Sequence, residues 1–286
     1  MSDFFDHYLI TRFNLRNPEW AVTKNNESLL TDEWMEDRLW LFRNFCFPSV
    51  AAQSTKNFKW LIYFDTTTPE KYKSEIEKLV AGHDNILVFY IDGMGNFYPE
   101  IQKYISEHSN EKPFLITSRI DNDDTIHKDF IAEIQKQFKQ QEYRVIDVIK
   151  GYSLQVKPTV MLGKKEHIFN PFISLIEKNE NPQTIWSNDH NIWKKERRIT
   201  QVTHKRLWIA VIHEKNKVNN FNGYDNVKWD KLKVDFIVSD EISKFISENL
   251  IPHREWLKLS LKNKWIVKYK VLSKTIKKAL GIYKFK

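Results

Sequence analysis

The chain is poor in several residue types, and each shortage removes a class of chemistry. Cys46 is its only cysteine, so internal disulfides and multi-cysteine zinc sites are excluded, and the usage suits a reducing compartment. Only 7 glycines occur among 286 residues. Neither GxxxxGK[ST] nor GxGxxG is present, and Gly93-Met94-Gly95 lacks the third glycine of a phosphate cradle. There is no GxSxG elbow and no HExxH. No run of about 18 apolar residues exists, which excludes a membrane-spanning helix. The N-terminal MSDFFDHYLITRF lacks a basic region followed by a long apolar stretch, so no secretory signal is expected.

What is present is a chain able to form a real core, with 41% hydrophobic and 29% charged residues. Its first half alternates two hydrophobic periods. Residues 4–13, 58–64 (FKWLIYF), 86–91 (ILVFYI), 113–120 (PFLITSRI) and 144–149 read as strands. Between them come helical patterns. Thr31 is placed to cap one, with Asp32 and Glu33 in its first turn. Pro48 ends that helix or begins a short second one. Pro69 opens another helix, residues 98–108 form a further one, and Phe130, Ile131, Ile134 and Phe138 share a helical face. Such alternation predicts a mostly parallel sheet flanked by helices, an α/β fold with its ligand beyond the carboxyl ends of the strands. After Gly151 the pattern becomes mixed and loop-rich, with short β-prone segments at 152–156, 160–162, 199–202 and 207–212. After about Asn226 it turns mostly helical.

Polar residues just after strands are therefore the candidates for chemistry. Asp121, Asn122, Asp123 and Asp124 follow the fourth strand. Three carboxylates in four residues repel one another unless a cation or hydrogen bonds stabilise them. Mn²⁺ or Mg²⁺ bridging a diphosphate is the natural partner, and a polar loop in which Asp124 or Thr125 caps a helix is the alternative. Asp65 ends the second strand and is placed to accept hydrogen bonds from a nucleotide base or ribose, or else to make an Asx-turn before Thr66–Thr68. Arg12 and Asn14 end the first strand and are placed to reach the same nucleotide, the alternative being that Arg12 pairs with a carboxylate of the body. Arg119 is placed either to position a donor or to moderate the acidic cluster. His213, ahead of Asn216 and Asn219, is a candidate to complete the metal shell, a solvated loop histidine being the alternative. For a general base, Asp189 is the first choice and Glu177, taken as helical, the second.

The blocks HYLITRFN, LFRNFCFPSVAAQS, FKWLIYFD, LITSRIDNDD, NPFISLIE and VIHEKN occur in that order over residues 7–223. In this the chain resembles the putative rhamnosyltransferase family of bacterial polysaccharide enzymes. The resemblance implies a GT-A-like, Rossmann-type domain over 1–225, with a nucleotide-sugar-binding half (1–125) and an acceptor-binding half (126–225). It implies a nucleoside-diphosphate sugar donor and a divalent metal, with Asp121 and Asp123 matching a DxD motif, Asp65 the acid near the base, and His213 the late histidine near the metal. The expected reaction moves a sugar, L-rhamnose by the family's name, to a hydroxyl of a growing surface polysaccharide or lipid-linked glycan. If it inverts the anomeric centre, a carboxylate base is required. A metal-dependent phosphohydrolase and a basic nucleic-acid-binding protein remain alternatives.

The resemblance leaves out the C-terminal extension, 226–286, where the positive charge resides. The formal charge is +8, yet residues 256–286 hold ten lysines and no acid, so the rest of the chain is close to neutral. Leu257, Leu261, Trp265, Tyr269, Leu272, Ile276, Leu280 and Tyr283 recur every three or four residues and form an apolar stripe. A basic amphipathic helix of this kind suits an anionic membrane surface. The expected location is cytoplasmic, peripheral at the inner face of the cell membrane. The competing expectation is that the stripe packs on the body, and nucleic acid is not the expected partner.

Overall fold

The computed structural model describes residues 3–17, 31–109, 111–190, 192–213 and 220–283. Asn216 and Asn219 lie outside the described residues. Strands β1 (Phe5–Arg12), β2 (Lys59–Asp65), β3 (Ile86–Ile91) and β4 (Phe114–Arg119) alternate with helices α1 (Asp32–Leu41), α2 (Phe47–Ala51), α3 (Glu70–Val80) and α4 (Phe97–His108). All four strands run parallel, β1 pairing with β2 and β4, and β2 with β3. The predicted alternation is thus observed. Its physical basis is plain in β2, where six consecutive residues after Lys59 are buried, as a strand covered on both faces requires.

The second half follows as β5 (Thr125–Ile126), α5 (Phe130–Gln135), β6 (Tyr143–Val148), β7 (Lys150–Gln155), β8 (Met161–Glu166), β9 (Ile173–Lys178), β10 (Ile199–Val202) and β11 (Trp208–Ile212). Helices α6 (Trp229–Leu232), α7 (Asp240–Asn249) and α8 (Leu257–Ala279) complete the chain. Seven strands form one sheet in the order β10-β6-β9-β4-β1-β2-β3, and β5-β11-β7-β8 form a smaller one. Strand β9 is antiparallel to both β4 and β6, so strands of the second half enter the same sheet as the first four. The expectation of a helix ending at Glu177 is corrected here: that segment is β9. Its apolar residues Ile173, Leu175 and Ile176 are buried between β4 and β6, and neighbours on both sides decide such a run in favour of strand.

Local signals account for several boundaries. The Thr31 hydroxyl accepts the Trp34 N–H at 3.2 Å and caps α1. The chain then passes through a π-helical turn (Phe42–Cys46) into α2. Pro48 has no N–H to offer the preceding turn. Within that turn the Asn44 carbonyl instead accepts the Ser239 N–H at 2.9 Å, which fixes the start of α7. Two large apolar clusters cover the main sheet, one beneath α1–α3 and α5 and the other beneath α4. Gly151 is required for a close approach: a Cβ there would lie 2.1 Å from the Trp208 ring. Its absence lets that indole lie flat and stack on Phe172, on the wall of the cavity described next.

Candidate active site

β1, β2 and β4 all end at one edge of the sheet, and a cavity of about 1000 Å³ opens there. That is at the upper end of the range for small-molecule sites, about 300–1,000 Å³. Arg12, Asn14 and the whole run from Asp121 to Asp124 line it.

The acidic loop leaves β4 and feeds β5, tying the large sheet to the small one. Each member has a distinct setting. Asp121 is half-buried and faces the cavity. The Asn122 amide donates to the Phe13 carbonyl at 3.2 Å and so pins the loop to the end of β1. One oxygen of Asp123 accepts from Arg38 Nη1 at 2.6 Å and lies 3.1 Å from His213 Nε2. Burial opposes its ionisation, but the Arg38 guanidinium and the His213 bond override it and hold the carboxyl well below the usual range. Asp124 is buried, and one of its oxygens accepts the Val211 N–H at 2.9 Å. Burial and the charges of Asp123 and Asp121 push its carboxyl well up. Asp124 thus anchors β11 rather than offering a free charge, and β11 in turn delivers His213 to Asp123.

Arg119, the last residue of β4, is 2% exposed. Its guanidinium lies 3.8 Å from the Trp186 ring centroid, and Arg12 stands over the same indole at 5.4 Å. Arg119 Nε and Nη1 have no hydrogen-bond partner among the described residues. Burial lowers its pKa to about 10, opposed by the nearby charges of Asp121 and Asp189. Such N–H groups suit an anion, although the arginine that lines the cavity is Arg12 rather than Arg119 itself. Asp189 lies exposed in the loop beyond Trp186, its own carbonyl accepting the Ile192 N–H at 2.8 Å.

Two expectations change. Asp65 is fully buried and already saturated. Its carboxylate accepts from the Arg16 N–H and Nε, the Thr67 N–H and hydroxyl, and the Gly93 N–H. It therefore makes the Asx-turn and joins the loops after β1, β2 and β3, with Asn14 bonded to Thr68 and to the Asp65 N–H. Glu177 lies opposite Leu115, near the start of β4 and so at the far edge of the sheet from the acidic loop. There it accepts the Gln183 and Thr184 N–H groups, both at 2.8 Å. Burial raises its pKa to about 7, but nothing of the cavity is within its reach.

Among the described residues, no three His, Cys, Asp or Glu side chains cluster so as to hold a metal ion alone. The donors that do converge are Asp123 and His213. This pair suits Mn²⁺ if diphosphate oxygens complete the shell, and Arg38 competes for the same carboxylate oxygen.

The model of the family described as "Putative rhamnosyl transferase" matches residues 6–224. The chain belongs to this family. No curated protein matches it. Solved structures similar to it include S. aureus TarS 1-349 in complex with UDP (14% identity, 72% of this chain and 60% of that one, TM-score 0.42). TarS 1-349 with UDP-GlcNAc is 12% identical over 85% of this chain and 71% of that one, TM-score 0.43. A putative nucleotide-diphospho-sugar transferase from Desulfovibrio desulfuricans G20 is 10% identical over 69% and 79%, TM-score 0.35. The chain thus spans about 60% of the first of these.

Sequence reasoning missed Arg38, the cation on Asp123, because an arginine within a helix carries no signal of its partner. It also missed the opposite wall of the cavity, formed by Lys165 and His167 of the β8 region and by Lys270, Lys274 and Lys277 of α8. The lysine-rich sequence of α8 signalled charge but not its direction.

Proposed function

We propose that this family member transfers a sugar from a nucleoside-diphosphate donor to an acceptor hydroxyl. One observation carries the reading. At the carboxyl ends of β1 and β4, Arg12, Arg38 and an acidic loop joined to a histidine line one cavity, and the buried Arg119 lies beside Arg12 on the Trp186 ring. The arginines suit the diphosphate, and the acids suit the cation that a diphosphate carries.

Breaking the sugar–phosphate bond places negative charge on the leaving diphosphate. Arg12, which lines the cavity, would stabilise that charge as it develops, with the buried Arg119 behind it on the Trp186 face. A divalent ion, when bound, supplies Lewis acidity at the same group. Asp123 and His213 would hold it, with Asp121 beside them. Asp189 is the base for the acceptor hydroxyl, as inversion requires. L-rhamnose as the sugar rests on the family description.

The apolar stripe of α8 supports a membrane-surface acceptor. Apart from Tyr283, which packs on Phe169, it does not pack on the body: Trp265 is 71% exposed and Leu272 58%, while Ser260, Asn263 and Val267 face inward. Among the described residues no helix is long and apolar enough to cross a membrane, so the stripe suits docking at a surface. Lysines flank it, each worth about 1 kcal/mol near anionic lipid.

A thermal-shift panel of nucleotides and nucleotide sugars, with and without Mn²⁺, tests the donor reading. One diphosphate should raise the melting temperature in a metal-dependent way, and Asp123→Asn should abolish that shift. A panel with no response would refute the reading.

A further inference from the structure

The cavity has a second charged wall, and it is basic. Lys165 projects from β8, and His167 follows that strand. Lys270, Lys274 and Lys277 stand three and four residues apart on α8, hence on one face of that helix. All five line the cavity.

The nearby carboxylates are mostly engaged elsewhere; the buried Asp147 attracts Lys274 but accepts from the Phe169 N–H and the Asn170 amide. Among the described residues, no carboxylate forms an ion pair with Lys165, Lys270, Lys274 or Lys277. Glu166 is adjacent but occupied: it binds Arg206 and the Tyr224 hydroxyl and lies 3.4 Å from Lys268. Asp124 attracts Lys165, yet that acid is itself pushed towards its neutral form. Lys274 donates to the Ile168 carbonyl at 2.9 Å, which orients it without neutralising it. Burial lowers the Lys165 pKa to about 8 against the attraction of Asp124, with Lys270 adding to it, and burial with Lys274 and Lys165 holds His167 well below its ordinary value. Cations gathered in a concave, partly buried place stabilise an anion bound among them.

We infer that this wall is a subsite for a phosphate or diphosphate group carried by the acceptor, separate from the donor's diphosphate at the acidic loop. The inference rests on the transfer reading above and names the acceptor's chemical class. Placement separates the two anion sites. The donor side is built by β1 and β4, whereas the basic wall is built by β8 and by α8, which lies beyond the family match ending at residue 224. The two faces of α8 complement each other. Its outer face exposes Trp265, Leu272 and Ile276, and its inner face presents lysines to the cavity. A phosphate held at the surface of a lipid layer would meet both.

The test uses the full chain and titration calorimetry with two probes, inorganic pyrophosphate and dodecyl phosphate. Lys270 and Lys277 are exposed, so Lys270→Gln with Lys277→Gln keeps the fold. The double variant should bind pyrophosphate at least ten-fold more weakly than the wild type, and Lys270→Arg with Lys277→Arg should restore binding. The titrations are run in chelator, so that an ion at Asp123 contributes nothing to the affinity. Dodecyl phosphate binding ten-fold tighter than pyrophosphate identifies a lipid-borne phosphate, and equal binding a soluble one; both support the subsite. Unchanged affinity in the glutamine variant overturns it. The nucleotide-sugar shift of the wild type is read separately, so failure of the donor reading is distinguishable from failure of the subsite.

Discussion

Arg38→Met is the most informative single perturbation, because Arg38 occupies the oxygen that a metal ion would need. The contact to Asp123 is 2.6 Å, and the two side chains are only 15% and 11% exposed. Removing one partner of a buried pair costs about 3–5 kcal/mol. The residual exposure and the bond His213 keeps with Asp123 place this site near the lower end, at about 3 kcal/mol. Methionine keeps the aliphatic stem but also removes the guanidinium, which stands 5.3 Å from the Trp34 ring centroid, so the loss is electrostatic and includes that cation–π contact. With a urea slope of about 2 kcal/mol per molar, the midpoint should fall by roughly 1–2 M. The carboxyl of Asp123 is depressed in the folded chain. Its contribution is therefore present above the ordinary aspartate pKa and lost as pH falls through the folded value, so the variant should show a flatter acid limb. If Asp123 and His213 hold the ion, Mn²⁺ at about one hundred times its dissociation constant should return about 2.7 kcal/mol. The same concentration should stabilise the wild type less, because Arg38 must be displaced. Urea melts with and without Mn²⁺ give both numbers. An unchanged midpoint would refute the energetic role of the pair, and an absent Mn²⁺ response in the variant would refute the ion site.

Asp65→Asn places an amide N–H₂ against a ring of donors and should lower stability by about 2 kcal/mol in denaturant melts. The donor-dependent shift should fall with it, since the three loops move apart. Asp189→Asn should lower the transfer rate by about a hundred-fold or more at saturating donor, whereas Glu177→Gln should leave it unchanged. Equal losses would reverse that assignment. Glu177 also sets a pH dependence. Its folded pKa of about 7 exceeds the ordinary glutamate value, so the folded chain retains a proton that the unfolded chain releases. Stability should therefore fall by on the order of 2–3 kcal/mol as pH rises from about 4.5 to 7, and Glu177→Gln should remove that slope. On vesicles with 30% anionic lipid (a chosen test composition, roughly physiological), Trp265→Ser with Leu272→Ser should abolish sedimentation without altering the melting temperature. Retained binding would exclude α8 as the docking element.

The hydrophobic periods sufficed to read β1–β4, α1, α3 and α4 from the chain, because strands buried on both faces and amphipathic helices each impose a pattern on neighbouring residues. The acidic loop was legible for the same local reason: three carboxylates in four residues are improbable without a use for them. The reading failed where the deciding partner is distant in sequence. Residues 173–178 form a strand only because β4 and β6 accept them from either side. Asp65 was legible as an acid at a strand end, but its lone pairs are taken by Arg16 and Gly93 from neighbouring loops. Arg38 reaches Asp123 across 85 residues.

The basic helix divides in the same way. Composition alone established that α8 is cationic and carries one apolar stripe, since a 3.6-residue repeat is a property of the chain. Which face meets the body is a tertiary matter: Ser260, Asn263 and Val267 turn inward, the aromatic stripe turns outward, and Lys270, Lys274 and Lys277 close the cavity. Periodicity fixes the angles between side chains around a helix, but only contact with the rest of the protein fixes the rotation of the helix as a whole.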